Sequence, residues 1–322
     1  MQSTNHELLK DPSYHQDAGD FLYSLSPNTL VLSRVMKILL TGATGLIGTE
    51  VMKTLASAGH QVTATDRKGG DIPSGVNFIL GELTDDAFVD SLDFKVDAIV
   101  HLGSIPRPFD DQDFEVFNNN VTCTYKVFSK ATANNVKVVI YASSLSIYGT
   151  AWSGPWTSPE FAPFDESLPL HHYESYALCK EVNERTADMW ANRSKTAYVG
   201  LRFPFCNTMK AIEDHASAQR DGDEETVTVA AKILWGYLDV RDAAHGILAI
   251  LAGKSTGSHT YNFTAPDTTA PHPTKEMLAK FHPTTKVLRD IPGYGALTDC
   301  SRWLAAYGYH PAHLIDRKKL GI

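Results

Sequence analysis

The chain has 322 residues, of which 43% are hydrophobic and 20% are charged. These proportions are typical of globular proteins and exclude collagen, coiled coil and disorder. Its 29 lysines and arginines are outnumbered by 37 aspartates and glutamates, which gives a net charge of −8. Nucleic acid is therefore not an expected partner, because contacts to phosphates need clustered cations.

The cysteines and the lengths of the apolar runs indicate the cellular compartment in which the protein is expected. None of the four cysteines belongs to a C-x-x-C pair, so neither a disulfide framework nor a thiolate zinc site is expected. No apolar run approaches the roughly 18 residues of a membrane helix, and the first residues do not resemble a secretory signal. We expect a cytoplasmic protein without a membrane partner.

The chain divides into an extension and a regular core. Residues 1–35 are polar and proline-interrupted, which predicts an N-terminal extension. From Met36 onward, strands and helices alternate. Apolar runs predict strands at 37–42, 61–66, 77–83, 97–104, 137–144 and 197–203, and helical spacing predicts helices at 46–60, 114–135 and 176–193. This alternation predicts an α/β fold, a doubly wound parallel sheet of the Rossmann type.

The pattern changes after Phe203. We expect 204–236 to be irregular, followed by a short strand at 237–240, a helix at 240–253, a strand at 259–265 and helices at 274–281 and 301–309. We therefore interpret 36–203 as the sheet domain. Residues 204–322 are interpreted as mainly a small C-terminal substrate lobe, with segments that return to the sheet.

A glycine array joins the first strand to the first helix, in TGATGLIG at 41–48. Gly42 permits the tight turn, Gly45 lets a pyrophosphate approach the backbone, and Gly48 allows close packing of the helix on the sheet. The helix N-terminus then offers N–H groups and a positive dipole end to an anion. The position of this array predicts that 36–203 binds a dinucleotide.

Asp66 ends the second strand, 24 residues after Gly42. A carboxylate there accepts both ribose hydroxyls and repels a 2′-phosphate, which favours NAD over NADP. Arg67 would pair with such a phosphate, so NADP stays possible. Asp85 either meets the adenine or caps the next helix. The residues expected to contact the cofactor are Gly42, Thr44, Gly45, Leu46, Ile47, Gly48, Asp66, Arg67, Glu82, Leu83, Leu102, Gly103, Ser104, Tyr176, Lys180 and Phe203.

Four residues form the predicted catalytic set. Tyr176 and Lys180, spaced Y-x-x-x-K on a predicted helix, share one helix face. The ammonium group and a cationic nicotinamide would favour the phenolate, so a lowered pKa is expected for Tyr176. Ser144, at the end of the fifth strand, would hydrogen-bond the substrate. Asn120 would anchor a water beside Lys180. No metal ion is predicted.

These motifs together resemble a known family. TGATGLIG, Asp66, HLGS at 101–104, NNNVTCT, SSLSIYG, YALCK, LRFPFCN and YLDVRDAAHGILAIL occur in the order found in the extended short-chain dehydrogenase/reductase superfamily. Residues 36–265 resemble its NAD-dependent epimerase/dehydratase type. The resemblance implies Tyr176 as acid/base, Lys180 as its pKa partner, Ser144 as the substrate hydrogen-bonder and Asn120 as support for a proton relay. It also implies a homodimer formed through the helices that carry Asn120 and Tyr176.

Departures from the family pattern shape the functional hypothesis. Family dehydratases carry an acid after the serine, where this chain has Leu145-Ser146-Ile147. HLGS and the short lobe resemble uronate dehydrogenases and related small-sugar oxidoreductases. The first hypothesis is therefore an NAD-dependent oxidoreductase that acts on a secondary alcohol or hemiacetal of a small sugar, uronate or polyol. An NAD-dependent sugar or nucleotide-sugar epimerase is the alternative. A non-catalytic dinucleotide sensor is disfavoured, because the Tyr and Lys are intact.

A few further residues are interpreted as mainly structural. Trp152 and Trp156 either line a substrate pocket or pack the lobe. The pair His171-His172 lacks the additional ligands that a metal site needs. Asp239 and Asp242 flank Arg241, and these three predict a structural charge cluster near the lobe hinge.

Overall fold

The structure is a computed structural model that describes residues 34–108 and 112–322. Almost all of the predicted N-terminal extension lies outside the described residues. The strands are β1 (Lys37–Thr41), β2 (Gln61–Asp66), β3 (Asn77–Leu80), β4 (Ala98–His101), β5 (Val138–Ser144), β6 (Phe161–Ala162), β7 (Ala197–Phe203), β8 (Phe205–Asn207), β9 (Tyr237–Asp239), β10 (Ser258–Asn262) and β11 (Lys286–Val287). The helices are α1 (Leu46–Ser57), α2 (Asp86–Ser91), α3 (Asp113–Ala133), α4 (Ser175–Ala191), α5 (Met209–Arg220), α6 (Glu224–Lys232), α7 (Val240–Ala252), α8 (Thr274–Phe281), α9 (Ser301–Tyr307) and α10 (Arg317–Leu320).

Seven parallel strands form the central sheet, in the order β10-β7-β5-β4-β1-β2-β3. The strand order reverses direction at β1, beside β4, as in a doubly wound sheet. The predicted fold class is therefore confirmed. The sixth predicted strand is β7, and the strand predicted at 259–265 is β10, which pairs with β7 at the edge of the sheet.

Both faces of the sheet are covered by helices, because successive strand side chains point to opposite faces. On one face, Leu39 and Val139 pack with Val127 and Phe128 of α3 in a continuous apolar cluster. The intervening residues, such as Leu40, are equally buried on the other face. There α1 packs against α7, so a helix from the C-terminal part of the chain supports the one that follows the glycine array.

A second apolar core lies in the C-terminal part of the chain. Phe164, Trp235, Met277 and Leu278 belong to it, together with Ile147 from the 3-10 helix Leu145–Tyr148 that follows β5. This 3-10 helix therefore joins the sheet to the lobe. Within the described residues, no helix is both long and apolar enough to cross a membrane.

The expectation of an irregular segment at 204–236 is wrong. This segment contains β8, α5 and α6. The side chains of Thr208 and Asp223 cap the two helices by accepting hydrogen bonds from Ala211 N and Thr226 N. The two helices bury few large apolar side chains, so they lack the apolar residues by which the other helices were predicted.

Candidate active site

A cavity of about 740 Å³ opens at the carboxyl ends of the central strands. Ligand sites of doubly wound sheets lie at this edge. One part, here called the glycine-rich end, is lined by Gly42, Thr44, Gly45, Leu46, Ile47, Gly48, Asp66, Arg67, Lys68, Gly81, Glu82, Leu83, Leu102, Gly103 and Ser104. The other part, here called the lobe end, is lined by Trp152, Phe164, Pro204, Phe205, Cys206, His215, Val229, Ile233 and Leu234.

Every residue expected to contact a cofactor lines this cavity, including Phe203, Tyr176 and Lys180. Ser144 lines it as well, whereas Asn120 is fully buried outside the lining. The structure therefore brings the predicted cofactor residues together. Their contact with a cofactor remains a prediction.

The glycine array makes a tight junction between β1 and α1. Gly42 has φ +68°, in the left-handed region that favours glycine. A Cβ on Gly48 would lie 2.0 Å from the carbonyl oxygen of Gly42, so a side chain there would displace the turn. Gly45 is the N-cap of α1, and no side chain caps this helix. The first N–H groups of α1 therefore border the cavity as donors suited to an anion.

Asp66 is tied to the same turn. Its carboxylate accepts hydrogen bonds from Thr44 N at 3.0 Å and from Lys68 N at 3.3 Å. These bonds fix the carboxylate at the wall of the cavity, where Arg67 and Lys68 also lie. The site thus combines an oriented anion with neighbouring cations at the position expected for a ribose.

Three side chains form a hydrogen-bonded series in the middle of the cavity. Ser146 donates through Oγ to Ser144 Oγ at 2.8 Å and through its backbone N–H at 3.1 Å. Because the Ser144 oxygen accepts twice, its own proton is available to donate. Ser144 forms a hydrogen bond with Tyr176 that lowers the pKa of the phenol. The sequence interpretation missed Ser146, although its position two residues after Ser144 is the spacing of a serine turn.

The expected lowering of the Tyr176 pKa is wrong for the protein alone. Burial raises this pKa above its usual value, and the hydrogen bond with Ser144 offsets only part of the rise. The Lys180 ammonium lies 5.2 Å from the centre of the Tyr176 ring rather than at its hydroxyl. Desolvation of the phenolate outweighs these interactions.

Lys180 connects two walls of the cavity. Its Nζ donates to Ala142 O at 3.0 Å, on β5, and to Ser104 Oγ at 3.2 Å, in the loop after β4. Burial lowers the pKa of Lys180, and the nearby Cys179 and Glu184 raise it by less. The ammonium group of Lys180 is therefore held by one carbonyl and one hydroxyl. It lies next to Ser104, in the loop after β4 that is expected to contact the cofactor.

Asn120 acts on the backbone of the loop after β4. Its Oδ1 accepts from Ile105 N at 2.7 Å, and its Nδ2 donates to Ile105 O at 3.0 Å. Its backbone carbonyl accepts from Thr124 Oγ1 and Asn183 Nδ2. The side chain thus holds the loop that carries Ser104. A water-anchoring role beside Lys180 remains a prediction.

A buried ionic network lies behind Ser144. Arg202 donates to both carboxylate oxygens of Glu184, at 3.0 and 2.7 Å, and Ser143 donates to the same carboxylate at 2.5 Å. Arg202 also donates to the Tyr148 hydroxyl at 2.6 Å. Glu184 lies four residues after Lys180 on α4, whereas its partners lie on β5 and β7, so no spacing in the sequence indicates this network. The network holds the carboxyl end of β5, where Ser144 lies.

The lobe end differs in chemistry. Most of its lining is apolar, and Trp152 is half-exposed there. The His215 ring lies on Phe205, with ring centres 5.1 Å apart. Burial lowers the pKa of His215, so the ring is neutral near pH 7, and its buried Nε2 has no hydrogen-bond partner among the described residues. Trp156 instead stacks on Phe281 and His282 outside the cavity.

The structure also gives the contacts of Asp85, of the pair His171-His172 and of the predicted charge cluster. Asp85 caps α2 by accepting from Ala87 N at 2.9 Å, and it does not line the cavity. His172 lies 3.1 Å from Glu181, whereas His171 lies 3.9 Å from Glu160. In the predicted charge cluster, Arg241 pairs with Asp239 at 2.7 Å. Asp242 instead accepts hydrogen bonds from Tyr309 and Ala312, in the C-terminal segment that follows α9.

The site and fold agree with a family match. The chain belongs to the NAD dependent epimerase/dehydratase family, which matches residues 38–263. A UDP-glucose 4-epimerase of Halalkalibacterium halodurans is 28% identical over 175 residues, which are 52% of this chain and 50% of that protein. Most of the similar curated proteins carry this name. The chain spans about half the length of the first of these relatives.

Solved structures share the fold at low identity. A short-chain dehydrogenase/reductase superfamily protein of Agrobacterium tumefaciens, with bound NAD, has a TM-score of 0.66 at 22% identity, covering 87% of this chain and 94% of that one. MoeE5 in complex with UDP-glucose and NAD has a TM-score of 0.64 at 21% identity, covering 88% and 96%. At such identities the likeness establishes the fold alone.

Proposed function

We propose that the chain is an NAD-dependent enzyme that moves a hydride to and from a carbon bearing a secondary hydroxyl, and that it epimerises a sugar or nucleotide sugar. The observation that carries the proposal is the series Ser146–Ser144–Tyr176 at the junction of the two ends of the cavity. The names of the curated relatives favour this epimerase over the net dehydrogenase that the sequence pattern put first.

The residues of the glycine-rich end fit a dinucleotide. The uncapped N-terminus of α1 suits a pyrophosphate, and a Cβ on Gly48 would remove the turn that exposes it. The Asp66 carboxylate suits two ribose hydroxyls and supports NAD as the cofactor. Arg67 lies beside it in the lining and keeps NADP as the second choice.

The mechanism assigns one task to each side chain of the series. Bound NAD⁺ would supply a hydride acceptor and a positive charge that lowers the pKa of the Tyr176 phenol. Tyr176 Oη removes the proton of the substrate hydroxyl as the carbon gives up its hydride. Ser144 donates to the substrate oxygen, and Ser146 orients Ser144 by donating to it. Tyr176 then returns the proton when the hydride comes back to the opposite face.

Lys180 and Asn120 position the reacting groups. Lys180 binds Ser104 and β5, and its positive charge would bind the ribose hydroxyls next to the nicotinamide of a bound NAD. Asn120 fixes Ile105, the residue after Ser104. Elimination of water is not part of the proposal, because Leu145 and Ser146 stand where family dehydratases carry an acid.

A net dehydrogenase is the second candidate, and the lobe end favours it. Its lining by Trp152, Phe205, Val229, Ile233 and Leu234 suits the apolar face of a small neutral sugar. Such a substrate needs fewer charged partners than a diphosphate, which is usually bound by cations or helix N-termini. The two candidates share Tyr176 and Ser144.

One experiment separates the two candidates. The full chain is incubated with UDP-glucose or UDP-galactose and with a panel of free sugars and uronates, each with NAD⁺, and products are followed by NMR and by NADH absorbance. An epimerase interconverts the two nucleotide sugars without net NADH, and Tyr176→Phe abolishes this conversion. NADH equal to the product formed identifies a dehydrogenase. Neither product nor NADH with any substrate would contradict the proposal.

A homodimer and a cytoplasmic location complete the proposal. Tyr125 on α3 and Leu178 on α4 are 47% and 41% exposed, on the two helices that the family uses for dimerisation. Light scattering should give twice the chain mass, and a Leu178→Asp change should shift it toward the monomer. All four cysteines are free thiols, as a reducing compartment allows.

A further inference from the structure

Two histidines and an aspartate that do not line the cavity meet between α7 and the last part of the chain. Asp242 and His245 lie three positions apart on α7 and share a helix face. His313 belongs to the C-terminal segment, 71 residues beyond Asp242 in sequence. One ligand atom from each residue lies within 4.8 Å of the other two. Only the fold brings this set together, so the sequence pattern did not predict it.

We propose that Asp242, His245 and His313 form a binding site for a divalent transition-metal ion. Imidazole nitrogens with one carboxylate are a ligand set suited to Zn²⁺ and related ions. Tetrahedral ligands bound at about 2.1 Å lie about 3.4 Å apart, so small ring rotations close the set around an ion. A fourth position is left to water, because the His313 side chain is 27% exposed.

The carboxylate is oriented as metal-binding carboxylates usually are, by hydrogen bonds from outside the ligand set. Asp242 is fully buried and accepts from Tyr309 Oη at 2.6 Å, from Ala312 N at 3.0 Å and from His313 N at 2.9 Å. His313 Nδ1 also lies 2.9 Å from Asp242 Oδ1.

The histidine on α7 has a nitrogen that nothing else uses. His245 Nδ1 is buried and has no hydrogen-bond partner among the described residues. The ring lies parallel to that of His313, with centres 6.2 Å apart and planes 11° apart. A buried acceptor without a partner is costly, and a metal ion would satisfy it.

Charges of both signs surround the cluster. His245 is influenced by His313, by the carboxylates of Asp242 and of Glu50 on α1, and by the guanidinium of Arg241. That guanidinium is paired with Asp239 at 2.7 Å. An ion bound to all three ligands would fasten the segment that carries His313 to α7.

The test uses the full chain after chelator treatment and dialysis. Zn²⁺ is titrated by calorimetry at pH 7.5, and Co²⁺ is added in parallel for its absorption spectrum. We expect one ion per chain with a micromolar or tighter Kd, a rise in Tm with Zn²⁺, and a Co²⁺ spectrum typical of low coordination number. His245→Phe, which keeps the ring stacking but removes the nitrogen, should lose binding. It removes no hydrogen bond within residues 34–108 and 112–322 and should fold normally.

Two further variants complete the test. His310→Ala changes an exposed histidine in the same segment and should leave binding intact. Tyr309→Phe removes a hydrogen bond to Asp242 and should weaken binding by about 10–100-fold. Binding only at millimolar Zn²⁺, equal binding by folded His245→Phe, or loss of binding in His310→Ala would overturn the proposal. The readouts do not depend on enzyme activity.

Discussion

The two ends of the cavity are built in different ways. The glycine-rich end is made of turns that directly follow β1, β2, β3 and β4, and backbone N–H groups and one carboxylate dominate its chemistry. The lobe end is made of side chains from β8, α5, α6 and the residues next to them, together with Phe164 and the loop around Trp152. The first kind of site constrains the sequence at fixed spacings, and the second constrains only the shape and polarity of a surface.

The largest effect is expected where the two ends meet. Tyr176→Phe keeps the ring packing but removes the acid/base oxygen, so turnover should fall by about 10²–10⁴-fold. NAD affinity and Tm should stay close to wild type. Turnover is measured at saturating substrate, and Tyr173→Phe, at a 60% exposed tyrosine, is the control. Wild-type turnover by Tyr176→Phe would show that another base is used.

A change confined to the glycine-rich end should alter cofactor choice only. Asp66→Asn removes the charge and retains an oxygen that accepts from Thr44 N. Because a charge pair near the surface contributes about 1 kcal/mol or more, the NAD-to-NADP preference should shift by about fivefold or more toward NADP. Cofactor affinities and the KM for the sugar are measured together. A changed sugar KM with an unchanged ratio would mean that Asp66 does not contact the ribose.

A change confined to the lobe end should alter the binding of the sugar and leave the binding of the cofactor unchanged. His215→Phe keeps an aromatic ring against Phe205 and removes a neutral hydrogen-bonding group. Loss of one hydrogen bond of about 1 kcal/mol should raise the sugar KM about fivefold, with no change in NAD affinity. The result is checked by steady-state kinetics and by NAD titration. His272→Phe, distant in sequence and not in the lining, is the control.

The smallest effect concerns the orientation of Ser144. Ser146→Ala removes the hydroxyl that donates to Ser144 and leaves the backbone N–H bond in place. We expect a two- to fivefold loss of kcat, since a single neutral hydrogen bond is weakened. Ser146→Thr should restore kcat because it keeps a hydroxyl. Equal losses in both variants would indicate a packing effect rather than orientation.

The sequence predicted the parts of the molecule in which local pattern and structure coincide. β1, β2 and β7 begin at their predicted positions, because each is a short segment with branched or apolar residues in a parallel sheet. α8 was placed at its observed bounds. The glycine array was identified by its place between a strand and a helix, and the Tyr176–Lys180 pair by its spacing together with the motifs around it.

The features that the sequence did not predict depend on burial and on contacts between residues that are far apart in the chain. α5 and α6 were missed because their buried stripes consist mainly of small or polar residues such as Ala216 and Gln219. The Tyr176 pKa was misjudged because spacing on a helix says nothing about burial. The partners of Glu184 and Asp242 lie on other elements, so their roles became visible only in three dimensions.

The edge strand β10 follows its partner β7 by more than fifty residues in the sequence, which has a consequence during synthesis of the chain. All seven residues of β7 are buried, and one of its edges is covered by β10, which begins only at Ser258. While the ribosome makes the intervening residues, a collapsed nascent sheet would present an apolar, unpaired edge. Such edges recruit other strands. Products that terminate before Ser258 are therefore expected to aggregate, although they contain the whole glycine array and the tyrosine–lysine pair.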